Sequence, residues 1–114
     1  MFKTRIWAAV LCACATTASF AAKQTFEEVQ AAALRGDYQA QRNLAFGYSS
    51  WSYDGQEKNP ILACAWRIVI LLSERADETD QMNYEVYCGQ LSKQHYYLAT
   101  VKADKLISSI DNKQ

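Results

Sequence analysis

Apolar residues recur at helical spacing from residue 26 to residue 110, and no useful stretch alternates apolar with polar as a half-buried strand would. The pattern predicts an all-α chain of about five helices. Thr25 with Glu28 three residues later opens the first, a spacing that lets each side chain satisfy a free backbone N–H. Phe26, Val29 and Ala33 continue it. Gly36 stands where a helix end takes a left-handed residue, so this helix is placed at about Phe26 to Arg35.

Asp37 is a good N-cap for a second helix striped by Ala40, Leu44 and Gly47 or Tyr48. Small residues at Ala40 and Gly47 predict close approach by a neighbouring helix, and a tight helical hairpin results. Periodicity then fails from Ser49 to Asn59, where Ser, Tyr, Trp, Asp and Gly mark the one substantial loop. Asn59-Pro60 restarts the chain, with a cap residue and then a proline in the first turn.

The third helix, about Pro60 to Ser73, is apolar nearly all round with only Arg67 charged, which places it at the centre of the packing. Glu74 to Asp80 reads as a charged connection rich in capping residues. A fourth helix carries Tyr84, Tyr87, Cys88 and Leu91, and Ser92 caps a fifth striped by Tyr96, Ala99, Ala103, Leu106 and Ile110.

The chain has 114 residues, with 12 basic and 12 acidic side chains. Its opening has the three parts of a secretory leader: Lys3 and Arg5, the mainly apolar run Ile6 to Ala15, and Ser19-Phe20-Ala21 as a small-x-small cleavage pattern. Residues 1–21 are therefore expected to be removed after Ala21, leaving residues 22–114 as one domain in the periplasm or outside the cell. The apolar run is short for a membrane span. A second reading stays open, because Leu11-Cys12-Ala13-Cys14 looks like a bacterial lipobox, which would anchor the chain by lipid at Cys14. Without the two basic residues of the leader the net charge is near −2, and the remaining bases are dispersed, which argues against a nucleic-acid partner.

The run Gly36-Asp37-Tyr38-Gln39-Ala40-Gln41, followed by Leu44, Gly47-Tyr48, Gly55, Asn59, Ala63 or Ala65 and Trp66, resembles the Sel-one-like repeat, a relative of the tetratricopeptide repeat. The likeness covers about Ala32 to Ser73. It implies an antiparallel helix pair and a protein-binding scaffold rather than a catalyst. The composition of the loop departs from the repeat, and the chain after Ser73 does not repeat the motif legibly. Repeat units normally stack to bury a core, so a lone unit requires closure by the first, fourth and fifth helices.

Cys64 and Cys88 are the cysteines left after a cut at Ala21, each on the apolar stripe of its helix, and an even pair in an oxidising compartment favours a disulfide. Two buried free thiols are the alternative. His95 is the only histidine, so a multi-histidine metal site is excluded, and no nucleophile is recognisably paired with it. Asp54 and Glu57 share the loop, and Asp77, Glu78 and Asp80 crowd a helix start where capping, the helix dipole and solvation account for them. No metal or cofactor is expected.

The most suggestive surface is Tyr48-Ser49-Ser50-Trp51-Ser52-Tyr53-Asp54, since tyrosine and tryptophan offer large contact area at low entropic cost and serines adapt their hydrogen bonds. Trp51, Tyr53 and Asp54, with Tyr38, Gln39, Arg42 and Asn43 on the outward face of the second helix, are the expected partner contacts. For Tyr48 and Trp51 the competing role is to plug the end of the hairpin. The expected function is a non-enzymatic, extracytoplasmic module that binds protein. An immunity protein neutralising an envelope effector is a narrower alternative, and a small envelope hydrolase using His95 is a second.

Overall fold

In the computed structural model, which describes residues 23–112, the chain is all-helical: α1 (Phe26–Leu34), α2 (Tyr38–Ser49), α3 (Pro60–Leu71), α4 (Glu78–Gly89) and α5 (Lys93–Asp111). The leader, its cut after Ala21 and Cys14 lie outside the described residues. No helix among the described residues is long and apolar enough to cross a membrane.

Each helix start is set by a side chain three residues upstream of the N–H it accepts. Thr25 caps α1, Asp37 α2, Asn59 α3, Asp77 α4 and Ser92 α5. One three-residue link, Arg35 to Asp37, serves two helices. Gly36, at φ 91°, donates to Ala33 O, Asp37 N–H donates to Ala32 O, and the Asp37 carboxylate accepts from Ala40 N to start α2. Gln41, buried one turn on, donates from Nε2 to Ala33 O and ties α2 back to α1. Gly36, Asp37, Ala40 and Gln41 thus have structural work in a tight helical hairpin, whatever family the chain belongs to.

The apolar α3 is the central element, packed against α2, α4 and α5, while α1 lies on α2 and touches α5. Val29, Leu44, Ala45, Cys64, Ala65 and Ile70 have no exposed surface, and Trp66 has almost none. The Sγ atoms of Cys64 and Cys88 are 2.10 Å apart, a disulfide that joins the middle of α3 to the end of α4. α4 is the most thinly attached helix, with only Asp80 and Cys88 buried along its length, and its one extensive contact is with α3.

Two expectations change. The connection before α4 is shorter than its charged composition predicts, because Glu78, Thr79 and Asp80 already form the first helical turn. What comes close to Gly47 is the Gln56 side chain rather than a helix, and a Cβ at Gly47 would overlap that amide.

Candidate functional site

The aromatic loop is held shut at its base and braced inside. Asn59 N–H donates to Tyr48 O at 2.9 Å, closing the segment onto the end of α2. Gln56, 6% exposed, donates from Nε2 to Leu44 O at 3.1 Å and accepts from Tyr53 N–H at 3.0 Å, while the Ser52 hydroxyl donates to Gly47 O at 2.7 Å. Gly55 supplies the positive φ, 84°, that the turn requires. These bonds fix the backbone path of the loop, from which the remaining side chains project.

Trp51 is 80% exposed on this frame. Tyr48, by contrast, is buried with its ring edge-on to Phe26, the centroids 6.2 Å apart, so Tyr48 alone plugs the hairpin. Tyr53 is half-buried against the core, and Asp54 is exposed. With Phe26, Lys23 and Glu27 at the start of α1, these loop residues line a groove of about 560 Å³. Sequence reasoning missed the α1 side of this groove, since nothing local pairs residues 23–27 with residues 51–54.

The second half of the expected surface does not join the first. Tyr38 is the first residue of α2 and Trp51 lies beyond its last, so the two sites stand a 12-residue helix apart, about 18 Å. Gln39 is exposed and donates to Asn43 Oδ1 at 2.9 Å. Tyr38 is not on the outward face: it is buried, with its hydroxyl donating to Asp80 Oδ2. The physical reason is that α2 is covered by α1 on one side and by α3 and the start of α4 on the other, so it buries two faces.

Asp80 is the centre of that second face; it takes part in the capping of α4 as its position implies, but with no exposed surface it is not solvated. It accepts from Tyr38 and, within the capping box, from Asp77 N–H, and its Oδ1 lies 3.1 Å from Arg42 Nε in an ion pair not aligned as a hydrogen bond. The Arg42 and Arg75 guanidiniums lie over the Tyr38 ring at 5.3 and 5.0 Å. Arg67, the one charge in the α3 run, is also buried, with its guanidinium 5.4 Å from the Tyr87 ring centre and its Nε without a hydrogen-bond partner. Burial pushes the Arg67 pKa down, and the neighbouring Tyr87 and Asp80 oppose that shift. This cluster ties α4 to α2 across α3.

Burial, then the bond to Asp80, raises the Tyr38 pKa above its ordinary 10.0, burial raises that of Tyr48, and the bond to Tyr96, then burial, raises that of Tyr84. A raised phenol pKa in the fold favours the neutral form, so these contributions are complete below the ordinary value and lost as pH climbs through the raised ones. Stability measured by urea titration is therefore expected to fall with pH above about 10, with a shallower slope in Tyr38→Phe. A slope identical in the variant would contradict the assignment to Tyr38.

Gly47→Ala displaces the Gln56 amide. The helix propensity gained by alanine, about 0.5–1 kcal/mol, is smaller than the cost of stranding buried polar groups, about 1–3 kcal/mol each. The expected result is net destabilisation in urea together with faster hydrogen exchange at the Tyr53 amide.

His95 is exposed in the first turn of α5, where its backbone N–H donates to Ser92 Oγ. Asp54 and Glu57 are exposed in the loop, and no group of three or more His, Cys, Asp or Glu suited to a metal ion occurs among the described residues. Compared with protein-family models, with curated proteins and with solved structures, the chain shows no match to any of them.

Proposed function

We propose that this chain is an exported, non-enzymatic helical module of the Sel-one-like kind that binds another protein through its aromatic loop. The observation that carries the reading is Trp51, a large aromatic left 80% exposed on a loop braced by the hydrogen bonds of Ser52 and Gln56. Ordering such a side chain on binding costs little because its frame is already fixed, which is the condition under which an aromatic anchor contributes most to affinity. The disulfide supports an oxidising destination, in keeping with the leader.

The contact surface is the groove between the loop and the start of α1, with Trp51, Tyr53 and Asp54 on one wall. Gln39, Asn43 and Arg42 belong to a separate face and are secondary to it.

Affinity capture from envelope extract is expected to recover a partner with the wild type and to lose it with Trp51→Ala, Tyr53→Ala, while the circular dichroism spectrum stays helical. Equal recovery by both proteins removes the loop as the site. His95→Ala is expected to leave capture unchanged, and a turnover abolished by that substitution without unfolding would instead establish the hydrolase.

A further inference from the structure

A three-residue link, Gln90 to Ser92, turns α4 into α5. Both of its ends are fixed, since Leu91 N–H donates to Cys88 O at 3.2 Å and Ser92 Oγ accepts from His95 N–H at 3.1 Å. The turn brings Tyr84 beside Tyr96, and their hydroxyls meet at 2.6 Å in an exposed hydrogen bond. The two side chains line an open groove of about 360 Å³, where Tyr96 is 36% exposed and Tyr84 half-buried.

The chain has seven tyrosines, and among the described residues these two are the only tyrosines joined to each other by a hydrogen bond or a ring contact. Tyr38 and Tyr48 are buried, and Tyr53 packs against the core. Tyr87 has the Arg67 guanidinium over its ring, where positive charge opposes loss of an electron, and Tyr97 is exposed without a tyrosine neighbour bonded to it. One-electron oxidation of a phenol gives a radical whose spin is shared between the oxygen and the ring carbons beside it, and two such radicals join at those carbons. The joined product holds its two hydroxyls side by side within hydrogen-bond reach, a spacing that Tyr84 and Tyr96 already have.

We infer that Tyr84 and Tyr96 form a site of oxidative cross-linking, at which a haem peroxidase supplied with hydrogen peroxide joins them as dityrosine. Each phenol gives up one electron and its hydroxyl proton, and a Cε–Cε bond forms between the rings. The hydrogens on the two joined carbons then move to the oxygens and restore both phenols. Hydrogen peroxide takes up the two electrons and two protons and leaves as two molecules of water. The consequence falls on α4, which Asp80 fastens to α2 and Cys88 to α3. The cross-link turns an exposed hydrogen bond into a covalent tie between α4 and α5, and unlike the disulfide it survives a reductant.

The test treats the folded, disulfide-bonded protein in dilute solution with a haem peroxidase and hydrogen peroxide, under conditions in which the same mixture couples free tyrosine. Dityrosine is followed by its blue fluorescence, and the product is mapped by intact and peptide mass. The expected product is a monomer lighter by two hydrogens, with α4 and α5 peptides joined through Tyr84 and Tyr96, in a yield that does not fall on dilution. Tyr84→Phe and Tyr96→Phe are each expected to lower that yield about tenfold, because a neighbour held in place reacts at an effective concentration far above that of a second molecule. Tyr97→Phe is expected to leave it unchanged. Cross-linked dimers as the only product, a monomer joined through another tyrosine, an equal yield in Tyr84→Phe, or no dityrosine from the folded wild type overturns the inference.

Discussion

Asp80→Ala is expected to cost about 3–5 kcal/mol of folding stability, the range for removing one member of a buried charged pair. The size follows from what remains behind. Tyr38 loses the acceptor for a buried hydroxyl, Arg42 loses its counter-ion, and Asp77 N–H loses its partner at the head of α4. Arg67, already buried without a hydrogen bond at Nε, loses the carboxylate that helps to offset its burial as well. Urea denaturation followed by circular dichroism measures the loss, and Tyr38→Phe, which leaves Asp80 its other two partners, is expected to cost less. A double-mutant cycle between Tyr38 and Asp80 should show coupling above 0.5 kcal/mol in magnitude, as expected for residues in direct contact. A loss below about 0.5 kcal/mol in Asp80→Ala, within the range of ordinary surface changes, would mean that the cluster is not the tie described here.

Removal of the disulfide is the second large effect. The bridge closes a loop with a sequence separation of 24, and the chain-entropy relation gives about 3 kcal/mol for a loop of that length. Cys64→Ala, Cys88→Ala is expected to lose about that amount, raised somewhat by the small void left at two buried sulfurs. The loss should concentrate in α4. Amides of α4 are expected to exchange faster than those of α2 and α3 by hydrogen-exchange mass spectrometry, because the helix keeps only its Asp80 fastening. Uniform acceleration across the chain would show that α4 is not a separate unit of stability.

Helix starts were readable because capping is local: Thr25, Asp37, Asn59 and Ser92 each act on a group three residues away, and each caps its helix as the spacing implies. The cysteine pairing was readable for a different reason. Both residues lie on apolar stripes of consecutive helices, and α3 was marked as the centre by its lack of a polar face.

The Asp80 cluster was hidden because a sufficient local explanation was at hand. An acid at a helix start needs no distant partner, and Tyr38 lies 42 residues upstream. Arg67 was the available signal, since one arginine in a run otherwise apolar must find negative or aromatic company within the core. Tyr38 was misplaced because the stripe through Ala40, Leu44 and Tyr48 describes one buried face of α2, and the polar Gln41 disguised how wide the buried surface is. The candidate groove was half legible: the composition of the loop marked Trp51 and Tyr53, but the opposing wall comes from the start of α1.

The closure of the loop at Asn59 and Tyr48, with Gln56 braced against Leu44, bears on how this surface can vary between related proteins. The side chains of Trp51, Asp54, Glu57 and Lys58 are exposed and make no bond to the frame, the Trp51 contribution being its backbone N–H to Phe46 O. Their identities can change without a penalty in the helical core, while Gly47, Ser52, Gln56 and Asn59 cannot. Selection for a new partner and selection for a folded chain therefore act on different residues of the same eleven-residue segment and its anchor, and a library confined to the four outward positions would sample specificities at nearly constant stability.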